Sequence, residues 1–357
     1  MQRLLATVKV AAMLALVGGN AFAAPLPAAP VYREFKDWIV GCDNQRTCIA
    51  KSAVEDESDA DTLKFQREAG ASGTLMASIA SDSAIDTSSF RLDGKPLAPD
   101  LHWINAPDIG GYVLMNDEAL RLARNLAAGS TLQTSSGSNQ PPVSLRGLSA
   151  ALLFIDDVQG RVGNQTALLR VGSGAASAVP AAPALPVLRA APRPPPLPDA
   201  QAFARAVRET HAALLKQHCD PDLSDFSGDT AEPLTASDAL VLLTCWGGAY
   251  QSSVLLLRAP RHAPAQAELA VLPPPPGAPK PDPDDDPTVL TEADYSPKDG
   301  TLSTSAKGRG LADCGVAAEW VFDGRGFQPS SFDYQDRCSG EPGDWLPLYR
   351  THIEKAR

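Results

Sequence analysis

Apolar and polar positions alternate with a period of two over several short stretches of the chain. Trp38, Val40 and Cys42 take every second position of one run, which is the spacing of a strand with one buried face. Leu75–Ala80 and Phe90–Leu92 read as further strands, and an Asp93-Gly94 turn closes the second. The period changes to that of a helix twice in the same half. Asn116 is placed to cap a helix running through Leu120, Ala123 and Ala127 and stopping at Gly129. Ser149 is placed to cap another, with Leu148, Leu152, Ile155 and Val158 on one stripe and Gly160 beyond its end.

The second half repeats the alternation of helix and hairpin. Asp199 precedes a helix whose apolar face is Phe203, Val207, His211 and Leu214, and Cys219 follows its end. Ala239–Trp246 and Ala249–Leu257 flank Gly247-Gly248, a pair favoured in tight hairpins. Val316–Phe322 and Phe327–Tyr334 flank a second turn made of Asp323, Gly324 and Gly326. Together these patterns predict an α+β fold, mainly antiparallel β.

Two low-complexity tracts interrupt the pattern. Residues 172–198 are rich in Gly, Ala and Ser and then in Pro, with eight prolines between Pro180 and Pro198. Such a segment is expected to be an extended linker that separates an N-terminal mainly-β domain (30–171) with two helices from a C-terminal α+β domain (199–357). The second tract, 273–287, holds four consecutive prolines and Asp282, Asp284, Asp285 and Asp286, and reads as a disordered acidic loop.

The first residues address the chain. Arg3 and Lys9 precede an apolar run from Val10 to Val17, and Ala21-Phe22-Ala23 supplies a small-residue cleavage site. This is the form of a secretory signal peptide cut after Ala23, which predicts a periplasmic protein. A membrane span needs about 20 apolar residues, and no later stretch reaches that, so no stable membrane insertion is expected. All six cysteines follow the cleavage site, and an even count in an exported chain reads as disulfides. Six cysteines allow fifteen pairings. Proximity suggests Cys42–Cys48, Cys219–Cys245 and Cys314–Cys338. No C-x-x-C pair occurs and the five histidines are scattered, so neither a metal nor another cofactor is expected.

The chain carries a net charge of −11, from 42 acids against 31 bases. Nucleic-acid binders cluster Lys and Arg, so a nucleic-acid partner is not expected. No G-x-S-x-G elbow, phosphate loop or EF-hand loop is present. Asp156-Asp157 reads as a solvated helix face, and the run from Glu55 to Asp61 as a surface loop. The tight loop between Cys42 and Cys48 is the leading candidate binding element, with Asp43, Asn44 and Arg46 held outward by the bridge. Four tryptophans (Trp38, Trp246, Trp320 and Trp345) lie near cysteines and are expected in cores. Trp103, among polar residues, is the candidate exposed aromatic.

Several blocks carry a family resemblance: DWIVGCDNQRTC from Asp37 to Cys48, ALLFIDDVQGRVG from Ala151, CWGGAYQ from Cys245, DCGVAAEWVFDGRGF from Asp313 and GDWLPLYRT from Gly343. As a set they resemble the uncharacterised exported bacterial family known as domain of unknown function 1176. The opening stretch is also distantly similar to invasion-associated locus B proteins. The resemblance implies an exported protein of Gram-negative bacteria and carries over neither a reaction nor a catalytic residue.

These features point to a non-enzymatic binding or adaptor protein of the cell envelope, its partner a protein or another envelope component. Two alternatives stay open: an acidic inhibitor of a basic exported enzyme such as a lysozyme, and a hydrolase with dispersed catalytic residues. One expectation is directly measurable. Alkylation of the protein isolated from its native envelope should modify no thiol, and peptide mapping should return the three local bridges. Reduced cysteines would contradict the reading.

Overall fold

The computed structural model describes residues 26–53, 61–81, 83–97, 100–134, 140–248, 250–282 and 286–354. The expected signal peptide, Glu55 to Asp59 of the acidic run, and Asp284 and Asp285 lie outside them. Among the described residues the structure is mainly antiparallel β, with four helices and three bridges, Cys42–Cys48, Cys219–Cys245 and Cys314–Cys338. No helix among the described residues is long and apolar enough to cross a membrane.

The first half builds a seven-stranded sheet. Strands β1 (Val31–Phe35), β2 (Trp38–Cys42), β3 (Cys48–Ser52), β4 (Thr62–Arg67) and β5 (Leu75–Ala80) follow as a meander, and Gly111–Met115 and Ile104–Ala106 complete the far edge. Helices α1 (Asn116–Leu126) and α2 (Leu148–Val158) cover one face, where Trp38, Val40, Leu63, Phe65, Leu122 and Leu152 form one core. Asp93 and Gly94 both take positive φ (49° and 78°), the backbone of the expected two-residue turn. Neither expected helix cap is used. Asn116 begins α1 itself and its Oδ1 accepts from Leu75 N, while α2 starts after Gly147, and Ser149 Oγ donates to Ala127 O.

Strands Asp238–Gly247 and Ser252–Pro260 are the centre of a second sheet, and their near-continuous apolar sequences follow from burial on both faces. Leu240, Leu242 and Leu256 face a third sheet, whereas Val241, Leu243, Leu255 and Leu257 face α3 (Ala200–Thr210) and α4 (Ala212–His218). The expected single helix breaks at His211, which leaves helical backbone geometry (φ −114°, ψ 21°). The third sheet orders Asp294–Ser296, Thr301–Lys307, Gly315–Phe322, Phe327–Gln335 and Leu346–Arg350.

The last strand of the third sheet packs on β2, and the contact is intimate. All five β2 residues are buried, because Ile39 and Gly41 face away from the first core. A Cβ on Gly41 would lie 2.9 Å from Leu346 Cβ, so the absence of a side chain permits the approach. Lys51, fully buried, donates to the carbonyl and to Oδ2 of Asp344 (2.7 and 2.8 Å), and Lys64 reaches the same Oδ2 at 2.7 Å. Burial opposes the charge on Asp344, but the two ammonium groups outweigh it and hold the carboxyl at about 2. Thr62 Oγ1 donates to Ser339 O (2.8 Å), and Tyr32 sits edge-on to Tyr334.

The two Pro-rich tracts depart from expectation. Segment 172–198 is not a free tether. Gln165 N donates to Gly174 O and Gly174 N to Gly163 O, Val187–Arg189 pairs in parallel with His352–Glu354, Ala191 N donates to Phe322 O, and Arg261 donates to Pro195 O and Pro196 O. A proline-rich strand lacks donors for a full ladder but keeps its carbonyls as acceptors, which the rest of the chain supplies with partners. In the second tract, Pro273 O accepts from Trp320 Nε1 (2.8 Å), and Leu272 and Ala278 pack on the core between the second and third sheets. The described part of the acidic loop is therefore seated, because Pro273 and Ala278 meet that core.

The Asp344 cluster gives a pH signature. An unfolded aspartate titrates near 3.9, so the stabilisation is complete above about pH 4 and drains away as pH falls toward 2. The melting temperature of the natural chain should fall more steeply over that interval than that of Asp344→Asn. Parallel curves would show that the cluster carries no linkage.

Candidate functional site

The loop between Cys42 and Cys48 faces inward. Asp43 is buried, and its Oδ1 accepts from Gln45 N (2.9 Å) and Thr47 N (2.8 Å), closing the turn. Burial pushes its carboxyl up against these bonds. Asn44 Nδ2 donates to Arg350 O, Arg350 N donates to Asn44 Oδ1, both at 3.0 Å, and Asn44 N donates to Leu348 O at 3.1 Å. Arg46 Nη1 donates to Val158 O (2.6 Å) and Pro27 O (3.0 Å). The expectation of an outward binding loop is therefore corrected. The bridge and a turn with Arg46 at φ 63° aim these groups at the C-terminal strand and the end of α2.

The other expected positions are dispersed. Trp103 is half-buried rather than free, with its ring edge-on to Phe90 at 5.4 Å. Trp38 and Trp320 are core residues and Trp345 is half-buried, but Trp246 is 48% exposed at its hairpin end. Asp156 is fully buried, not solvated, and accepts from Leu168 N and Leu169 N, which turns the chain after α2. His211 and His218 do not share a ligand: His211 Nε2 lies 3.0 Å from Ala267 O, while His218 Nδ1 lies 2.5 Å from Asp286 Oδ2.

A cleft of about 470 Å³ opens at one end of the interface between the second and third sheets. Leu234, Leu240, Leu269, Ala270, Phe322 and Phe327 make its floor. Leu240, Arg258 and Glu268 are direct cross-strand neighbours, so the ladder puts one apolar and two charged side chains in a row at the mouth. Opposite them stands the turn from Asp323 to Gly326. Asp323 Oδ1 accepts from Arg325 N (2.8 Å) and Gly326 N (2.9 Å), which fixes the turn and presents the Arg325 side chain.

The charges of the cleft are not equivalent. Arg258 Nη2 donates to Asp238 Oδ2 at 2.6 Å, Nη1 donates to Arg325 O at 3.3 Å, and the guanidinium lies 5.9 Å from the centre of the Phe322 ring. Burial opposes ionisation of Asp238, yet the bonds from Arg258, Thr235 and Ser237 hold its carboxyl below the usual range. Glu268 and Arg325, by contrast, engage no side-chain hydrogen bond or ion pair among the described residues. The cleft thus offers a greasy floor, one internally neutralised pair and two unspent rim charges of opposite sign. Sequence reasoning passed over it because its walls come from four segments remote in sequence. Its one local signal was Arg258, a lone charge in the apolar run from Val254 to Pro260.

A family model described as protein of unknown function (DUF1176) matches residues 32–352. The chain is 31% identical over 349 residues to the uncharacterized protein YpfG of Escherichia coli (strain K12), an alignment that covers 91% of this chain and 94% of that protein. No solved structure matches. Charge removal at the cleft separates its two arginines. Arg258→Ala should destabilise the fold by about 1 kcal/mol in urea denaturation, since it takes the guanidinium from half-buried Asp238, whereas Arg325→Ala should change stability by less than about 0.5 kcal/mol. Equal losses would contradict the division of roles.

Proposed function

Because the chain belongs to the DUF1176 family, whose activity is undefined, its assignment must come from its own geometry; we propose that it is a non-enzymatic binding protein of an oxidising compartment outside the cytoplasm, with the cleft as its recognition site. The observation that carries this reading is the unspent pair of rim charges, Glu268 and Arg325, around an apolar floor held by two sheets. A few placed polar groups around a mostly apolar depression give a ligand both affinity and orientation. The walls are rigid strands and a hydrogen-bonded turn, so little conformational entropy is lost on binding.

The ligand chemistry that fits is a polypeptide segment with an apolar side chain as anchor and flanking charges of both signs. Export is supported by three disulfides, which persist in oxidising compartments. The leader that would direct it is a sequence reading of residues outside the described structure. An adaptor role in the cell envelope follows from the same site if its partner is an envelope protein.

Val271 is 72% exposed and lines the cleft, so it is a position for a photo-reactive side chain that perturbs nothing buried. Irradiation of cells exporting that variant should give one discrete adduct. Arg325→Glu, which reverses an exposed rim charge, should remove the adduct while leaving the fold intact. Absence of any adduct, or an adduct indifferent to Arg325→Glu, would overturn the proposal.

A further inference from the structure

The outer face of the third sheet holds a second depression, a polar trough of about 520 Å³. Ser303, Glu319, Ser331 and Arg350 are paired from strand to strand, so they form one continuous row on that face. At a strand spacing of about 4.8 Å the row runs about 14 Å. Ser331 Oγ donates to Glu319 Oε2 (3.1 Å), and Arg350 Nη2 bonds Asp333 Oδ1, so each carboxylate is steadied through one oxygen and keeps the other as an acceptor. Ala317 lies beside the row and leaves room above it, while Glu292 and Thr351 stand at its sides.

One residue marks the trough as more than a solvated sheet. The pairing of Gly315–Phe322 with Phe327–Gln335 slips between Glu319 and Trp320, and Ser330 is the extra residue of the bulge. Ser330 is only 3% exposed and lines the trough, yet its hydroxyl has no hydrogen-bond partner among the described residues. A buried hydroxyl without a partner costs stability, and bulges are enriched where a sheet is adapted to a ligand.

We propose that this trough binds a saccharide, with Ser330 donating to or accepting from a sugar hydroxyl. Along the row, hydroxyl, carboxylate, hydroxyl and guanidinium succeed one another, so acceptors and donors lie within one sugar's reach of each other. A polyol carries both functions on neighbouring carbons and can satisfy such a row at once. A cationic peptide would use the carboxylates but leave Arg350 repelled and Ser330 unmet. The proposal is independent of the cleft, since it rests on the opposite face of the sheet.

The test is titration of the full chain, followed by amide NMR, with three probes: maltotriose, the trimer of N-acetylglucosamine, and trilysine. At least one saccharide should give saturable shifts at Glu319 and Ser331. Glu319→Ala should weaken that binding about tenfold. Ser330→Ala should weaken it as well while raising the melting temperature of the free protein, a combination that a purely structural serine would not produce. No saccharide response, a response unchanged in both variants, or binding of trilysine alone would overturn the assignment.

Discussion

The structure turns on one exchange of hydrogen bonds, in which the amide of Asn44 treats Arg350 as a neighbouring strand residue would, giving its N–H to the carbonyl and accepting from the N–H. A side-chain amide reproduces the donor and acceptor of a peptide group, so Asn44 joins a tight loop to the backbone of a strand from the other half of the chain. The Cys42–Cys48 bridge holds the loop ready for this. Gly41, one residue earlier, removes the side chain that would hold the two sheets apart. The halves of the chain are therefore joined at β2 rather than strung along the proline-rich segment. Buried Lys51 and its partner Asp344 then set the orientation, since neither a lysine nor an aspartate can be left alone in that interface.

Much of the architecture was legible because it is local. The three bridges close one turn, one helix–hairpin unit and one hairpin, and chain proximity suffices to pair their cysteines. The two long hairpins announce themselves through apolar runs separated by glycine. Strand Leu75–Ala80 has the bounds its sequence suggests. What failed was long-range. Asn44 and Arg46 are polar turn residues by every local rule, and only the arrival of a strand 306 positions later converts Asn44 into a joint. Asp156 sits beside Asp157 in a helix and is distinguished from it solely by the chain that folds back over it. The proline-rich tract has the composition of a tether, but its carbonyls meet donors supplied by Gln45 and Arg261, which composition cannot reveal.

The same logic explains why the recognition surfaces were invisible to motif reading. The cleft forms where two sheets splay apart at one end of a shared core, and its polar groups come from a strand, an edge and a turn. The trough is a row of polar and charged side chains that reads along each strand as ordinary alternation. Both depend on the third sheet, and the third sheet is held in place by β2. Rigid joining thus has a functional consequence: the geometry of either surface is inherited from the contact at Asn44 and Lys51.

If that contact fuses the halves, the oxidised chain must unfold as one unit. Differential scanning calorimetry is the most direct measurement. The account predicts a single endotherm whose calorimetric enthalpy equals the van't Hoff enthalpy. Two resolved transitions, one for each half, would show that the joint at β2 does not govern the structure.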